Sequence, residues 1–277
     1  SLLHQNVAYK KIILWLAEEQ FPMKEKELPS KLVELISEKF CIEWCKDIRS
    51  YKKLIPSLKK YPDDIIVTAD DDIIYPRDWL RRLVHAYSEH PDMIHCLRAH
   101  RIVIHNGNIL PYQRWNVKEY NVSPSFLNFF TGVGGVVYHS SLLYRDVMRE
   151  DIFTKICPDA DDIWFWGMSV LQGTKINIVN PPMVELNYVP HSQDGDLPLW
   201  KKNVLQNEND IKLKAFLDAY PSVRKILIAE NKKVRVKETI NRFSKPYYKE
   251  KNKNNKSIYI FGLPVFRKMK SGTKKRI

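Results

Sequence analysis

Three consecutive carboxylates, Asp70, Asp71 and Asp72, follow an apolar run, Ile65 to Val67, in the stretch DIIVTADDDIIYPRDWLRRL. The run is β-branched and bounded, so it reads as a buried strand. The acids fall at or just past its carboxyl end, where open α/β sheets place their ligands. Adjacent carboxylates repel one another and lose hydration together unless a cation or hydrogen-bond donors neutralise them. A hard divalent cation, Mg²⁺ or Mn²⁺, held by one or two carboxylates and a substrate phosphate meets that need; an acidic solvated turn is the plainer alternative. A second pair, Asp161-Asp162, stands just before the apolar stretch Ile163 to Leu171. Facing the same crevice, such a pair can take a proton from an attacking hydroxyl. Acids at a helix start can equally serve stability alone.

Other residues with chemical potential are less specific. Gly132, Gly134 and Gly135 spell neither GxGxxG nor GxxxxGK[ST], so they fit either close backbone approach to a sugar ring or a bulge. His191 lies in the polar loop NYVPHSQDGD, where a neutral imidazole could complete a metal shell or simply face solvent. Trp115, Trp164, Trp166 and Trp200 read mostly as core, although a ring beside a carboxylate is a platform for a sugar's apolar face.

The elements that must position these groups alternate. Ile12 to Leu16 and Phe40 to Trp44 read as strands, Lys24 to Phe40 has helical spacing, and Ser50 to Leu58 reads as a short helix kinked or ended by Pro56. Tyr75, Pro76, Asp78 and Trp79 launch a further helix. Alternation to residue 90 predicts an α/β fold with a largely parallel sheet. Met93 to Ile104 reads as one or two strands with a hairpin at Asn106-Gly107-Asn108, and Ser141 to Glu150 as a helix. Ile163 to Leu171 is a helix stopping at Gly173, with a strand at Ile176 to Val179. Three parts follow: a catalytic domain over 1–195, a helical extension over 196–230 and a basic tail over 231–277.

The chain has 277 residues and a formal charge of +13. Residues 231–277 hold 16 Lys or Arg against two acids, while the remainder holds 29 bases against 30 acids. A neutral body with a basic tail argues against nucleic acid and for a surface-seeking segment. Residues 231–256 read as mobile. SIYIFGLPVFRKMK sets apolar residues beside lysines, which fits contact with an anionic membrane. Cys41, Cys45, Cys96 and Cys157 read as free thiols of a reducing cytoplasm. No signal peptide is visible, and no apolar run approaches the ~20 residues that span a bilayer.

The ordered motifs SLLHQ, IILWLAEE, SYKKLIPSL, IIVTADDDIIYPRDWLRRLV, FFTGVGGVVYHSSLL and CPDADDIWFWGMSVLQG resemble bacterial nucleotide-sugar glycosyltransferases of the GT-A fold, family-2-like, from surface-polysaccharide and lipopolysaccharide clusters. The resemblance covers about residues 1 to 190. It implies a mixed, mostly parallel Rossmann-like sheet flanked by helices. It also implies metal-dependent transfer of a sugar, with inversion, from a UDP- or GDP-sugar to a glycan or lipid-linked glycan, at the cytoplasmic face of the membrane. By position, Asp72 ligates Mn²⁺ or Mg²⁺, with Asp70 and His191 as further ligands. Asp70, Asp71, Lys53, Gly134 and Gly135 meet the donor. Asp162 is the base, Asp161 an acceptor-hydroxyl ligand, and Trp164 an acceptor platform. Relative to that family the first strand is missing, Glu18 and Glu19 replace an Asp pair, and Ala69 replaces the first acid of the commoner motif. Two rivals remain on the residues alone: a haloacid-dehalogenase-like phosphoryl transferase using Asp70 and Asp72, and a non-catalytic sugar- or membrane-binding module.

Overall fold

The computed structural model describes residues 1–117, 123–194 and 207–244, and the strand residues 247–251, 255–260, 263–269 and 274–276. The chain divides into two compact units, Ser1–Leu227 and Ile228–Ile277.

In the first unit, the apolar runs at Ile12–Ala17 (β1) and Phe40–Cys45 (β2) pair in parallel, Ile12 opposite Phe40. A four-stranded sheet is built from Ile66–Thr68 (β3), Ile94–Cys96 (β4), Val136–Tyr138 (β10) and Ile176–Ile178 (β11), in the order β11-β4-β10-β3. β11 runs parallel to β4, but β10 lies antiparallel to both β3 and β4. The expected largely parallel sheet is therefore a mixed one. The inserted β10 is entered through a tight glycine turn, where Gly135 has φ +91° and a Cβ would strike the Trp79 ring. Ala99–Arg101 (β5), Asn116–Val117 (β8) and Asn128–Phe130 (β9) form a small antiparallel sheet. Ile104–His105 (β6) and Asn108–Ile109 (β7) form the hairpin expected at Asn106-Gly107.

The helical readings divide. Ser30–Val33 (α1) is a single turn after a 3-10 turn at Lys24–Glu27, not a helix over 24–40. Pro29 cannot supply the amide that would join the two, and Leu35 and Ile36 stay exposed. Ser50 to Leu58 becomes a 3-10 turn, Arg49–Lys53, followed by Ile55–Lys60 (α2), with Pro56 in its first turn and no kink. Trp79–Glu89 (α3) follows the acids. Ser141 to Glu150 forms two 3-10 turns, and the α-helix begins only at Glu150–Ile156 (α4).

Asp161–Gln172 (α5) is the helix around which this unit packs. Nine of its residues are buried, and Gly173 closes it in the left-handed conformation. Trp164 and Trp166 are fully buried, with their indole N–H groups donating to the carbonyls of Val147 and Phe126. Each such aromatic contributes about 1.5–3 kcal/mol of burial. Glu208–Ala219 (α6) lies against α5 through Phe216, which sits over Gly167 where no Cβ would fit. Pro221–Ser244 (α7) follows.

The second unit contains an antiparallel meander, Tyr247–Lys251 (β12), Asn255–Ile260 (β13), Leu263–Met269 (β14) and Lys274–Arg276 (β15), in chain order. Within 231–256, the part up to Ser244 belongs to α7 and Tyr247–Lys251 is β12. Among the described residues no helix is long and apolar enough to cross a membrane. All four cysteines are free: Cys96 and Cys157 are buried, and Cys41 and Cys45 half-buried.

Candidate functional site

A cavity of about 1890 Å³ opens in the first unit, lined by Lys53, Asp70, Asp71, Asp72, Gly132, Asp161 and Asp162 among others. The two acid sets, 89 or more positions apart in sequence, thus share one space. β3 delivers the first set at its carboxyl end. The first turn of α5 delivers the second.

The backbone around Asp70 is fixed from below. The Asp70 N–H donates to the Tyr75 hydroxyl (2.9 Å), which donates in turn to the carbonyl of Val133 (3.0 Å). Asp70 Oδ1 accepts from Lys53 Nζ at 2.7 Å, and the same ammonium lies 3.8 Å from Asp161 Oδ2. Burial opposes the Lys53 charge, but Asp161, Asp70 and Asp162 outweigh it and hold the ammonium above the ordinary lysine range. Lys53 therefore stays a cation at any physiological pH.

Asp161 and Asp162 do not cap their own helix. Ala160 is the N-cap, with no side-chain cap bond. Asp162 Oδ1 instead accepts from the Gly132 N–H at 3.0 Å. Burial, and then the Asp161 charge, push the Asp162 carboxyl up to about 8. A carboxyl that titrates near neutrality has the basicity that proton abstraction requires. Gly132 is needed here for space, since a Cβ would sit 3.0 Å from Asp162 Oδ1.

Asp72 is clamped by the segment that follows β11. Its carbonyl accepts from Val189 N–H (2.8 Å), Ile73 bridges Tyr188, and Gln193 Nε2 donates to Asp72 Oδ2 at 2.8 Å. Burial, then Asp70 and Asp71, raise its carboxyl. That strain is what a cation would relieve. Asp71 is exposed at the rim of the cavity.

Three sequence expectations are not met. His191 is not among the residues that line the cavity: its side chain is 87% exposed and pairs with Asp194 at 2.7 Å. Among the described residues no three His, Cys, Asp or Glu groups converge as a metal set. The donor set fits a hard cation held by Asp72 with a neighbouring acid and phosphate oxygens, but not a cage completed by His191. Trp164 cannot be an acceptor platform, because it is fully buried among Phe153, Phe216 and Tyr220. Gly134 and Gly135 do not line the cavity; they make room for Arg98 and Trp79. Trp200 lies outside the described residues.

The structure adds groups that spacing does not reveal. Tyr75, Gly132 and Gln193 hold the acids, as described. Arg98, His100 and Thr131 line the cavity beside them. Thr131 Oγ1 and His100 Nδ1 are buried without a hydrogen-bond partner among the described residues, and burial, reinforced by Arg98, lowers His100 to about 4, leaving it neutral. Tyr75 at the helix start and Gly132 in the glycine cluster are visible in the sequence, whereas Arg98, His100, Thr131 and Gln193 carry no such signal. Comparison with protein-family models and with curated proteins gives no match.

Proposed function

We propose that the chain is a nucleotide-sugar glycosyltransferase of the GT-A fold, moving a sugar from a UDP- or GDP-sugar to a hydroxyl of a glycan or lipid-linked glycan with inversion. The observation that carries this reading is the meeting, in one cavity, of a strand-end acid triplet and a helix-start acid pair whose Asp162 titrates near neutrality. Displacement of a diphosphate by a hydroxyl needs two things: charge neutralisation where the diphosphate departs and a base where the hydroxyl attacks. The two acid sets divide along those lines.

Asp72, with Asp71 or Asp70 beside it, would hold Mn²⁺ or Mg²⁺ together with the donor's diphosphate, and the cation would stabilise the charge that develops on that leaving group. Asp162 takes the acceptor proton, held in aim by the Gly132 N–H. Asp161 accepts from a neighbouring hydroxyl of the acceptor and so orients it. In this reading the basic second unit brings the enzyme to an anionic membrane surface on the cytoplasmic side, where a lipid-linked acceptor is presented.

The test is a Mn²⁺ titration against a panel of UDP- and GDP-sugars, followed by protection against thermal unfolding and by donor hydrolysis. Metal-dependent protection by one nucleotide class, with slow hydrolysis of its sugar, is the expected result. A panel that protects nothing at any Mn²⁺ concentration overturns the reading.

A further inference from the structure

We infer that Lys53 is a positioning residue, a resident cation that holds the donor-side Asp70 and the acceptor-side Asp161-Asp162 pair at one fixed spacing, rather than a contact to the nucleotide. The inference rests on the division of the two acid sets proposed above, and its test is separable from that division.

The geometry places Lys53 between the sets. Its Nζ bonds Asp70 Oδ1 at 2.7 Å and stands 3.8 Å from Asp161 Oδ2. It also lies 3.6 Å from where a Cβ on Gly132 would be, next to Asp162 Oδ1. The side chain is 27% exposed, so the ammonium faces carboxylates more than water. The turn that carries it is itself tied to the acceptor side. Tyr51, two residues earlier, is fully buried, donates its hydroxyl to the Cys157 carbonyl at 2.6 Å and stacks on Phe153 at 4.0 Å between centroids. Cys157 begins the short loop that leads into Asp161. One turn therefore grips the end of α4 and the loop before α5 through Tyr51 and reaches across to Asp70, just past β3, through Lys53.

Two carboxylates, Asp70 and Asp161, with the Asp162 carboxyl beside them, repel one another across a shared low-dielectric space unless a countercharge stands between them. An ammonium with three donors can serve two acids at once. A displacement of about 1 Å between donor and acceptor groups costs about 100-fold in rate. Without the ammonium, Asp70 and Asp161 are also free to ligate a hard cation, which carboxylates do readily.

The test uses the full chain with Lys53→Met and Lys53→Arg. Bound Mn²⁺ is counted from the free-ion resonance signal without nucleotide. UDP and GDP affinity in Mn²⁺ is measured by calorimetry, and turnover on the sugar panel gives kcat and KM. Lys53→Met is expected to bind at least one more Mn²⁺ per chain than wild type. It should keep nucleotide affinity within about threefold and lose about 100-fold or more in kcat with little change in donor KM. Lys53→Arg, which keeps the charge, should bind Mn²⁺ as wild type does and recover at least about tenfold of the lost kcat. Should Lys53→Met not fold, Lys53→Met/Asp161→Asn removes one charge of each sign and carries the nucleotide-affinity arm.

Nucleotide affinity that falls in step with turnover makes Lys53 a donor contact and overturns the inference. So does an unchanged Mn²⁺ count. If wild type binds no nucleotide at all, the transferase reading fails, while the Mn²⁺ count still decides whether Lys53 is the countercharge.

Discussion

Asp162 carries an internal conflict that can be measured. Its folded-state carboxyl is raised to about 8, against about 3.9 for an unstructured aspartate. The folded chain therefore holds this proton more tightly than the unfolded one, and stability falls as pH rises from about 4 to about 8. Asp162→Asn removes the ionisation. The variant should match wild type below pH 4 in urea unfolding and become progressively more stable than it up to about pH 8. It should also lose about 10²–10⁴-fold in turnover while binding donor normally. Wild-type turnover should climb as pH passes through about 8, as the base ionises. A stability margin that does not change with pH would show that Asp162 is not desolvated as described. Asp72→Asn should instead abolish Mn²⁺-dependent nucleotide binding. His191→Ala should leave Mn²⁺ affinity within about twofold, since its imidazole is engaged by Asp194 and a surface pair of this kind is worth little. Equal loss of nucleotide binding in Asp72→Asn and Asp162→Asn would remove the division of labour between the acid sets.

At the scale of elements, the site depends on how α5 is seated. Asp161 and Asp162 point where they do because the rest of α5 is buried, and α6 can close over it only where Gly167 leaves room for the Phe216 ring. Gly167→Ala should overpack this contact and lower unfolding stability by about 1–3 kcal/mol, read from the urea midpoint; a neutral result would mean α6 shifts freely. α5 was legible in the sequence because its apolar run is long, begins with acids and ends at Gly173. The span 24–40 reads as one helix because its leucine spacing is helical, whereas Pro29 and the exposure of Leu35 and Ile36 deny it both amide and core. The direction of β10 was not legible at all. A short apolar strand such as VVY has the same pattern in either orientation, and its direction is set by the glycine turn before it and by partners far away in sequence. For the same reason the acids could be recognised, but not Lys53's place between them. That placement comes from Tyr51 meeting Cys157 across 106 positions.

At the scale of the whole molecule, the first unit has an open flank. Consecutive residues of β1, Ile12 to Trp15, and of β3, Ile66 to Thr68, all line the cavity. Side chains of a strand alternate in direction, so a space touched by every residue in turn lies along a backbone edge. Charge is the other property that exists only at this scale. Residues 245–277, which contain β12 to β15, hold eleven bases against one acid, while the chain up to residue 230 is close to neutral. Each base near an anionic bilayer contributes about 1 kcal/mol, and the attraction fades beyond a Debye length of about 8 Å at physiological salt. The full chain should therefore sediment with vesicles containing phosphatidylglycerol at low salt, release at about 0.5 M salt, and ignore vesicles of phosphatidylcholine alone. A chain ending at Ser244 should lose vesicle binding yet keep the nucleotide affinity and melting temperature of the first unit, because the described residues that line the cavity run no further than Asn209. Binding to neutral vesicles as strong as to anionic ones would make the attachment apolar instead of electrostatic. Vesicle binding that survives the truncation would locate it outside β12 to β15.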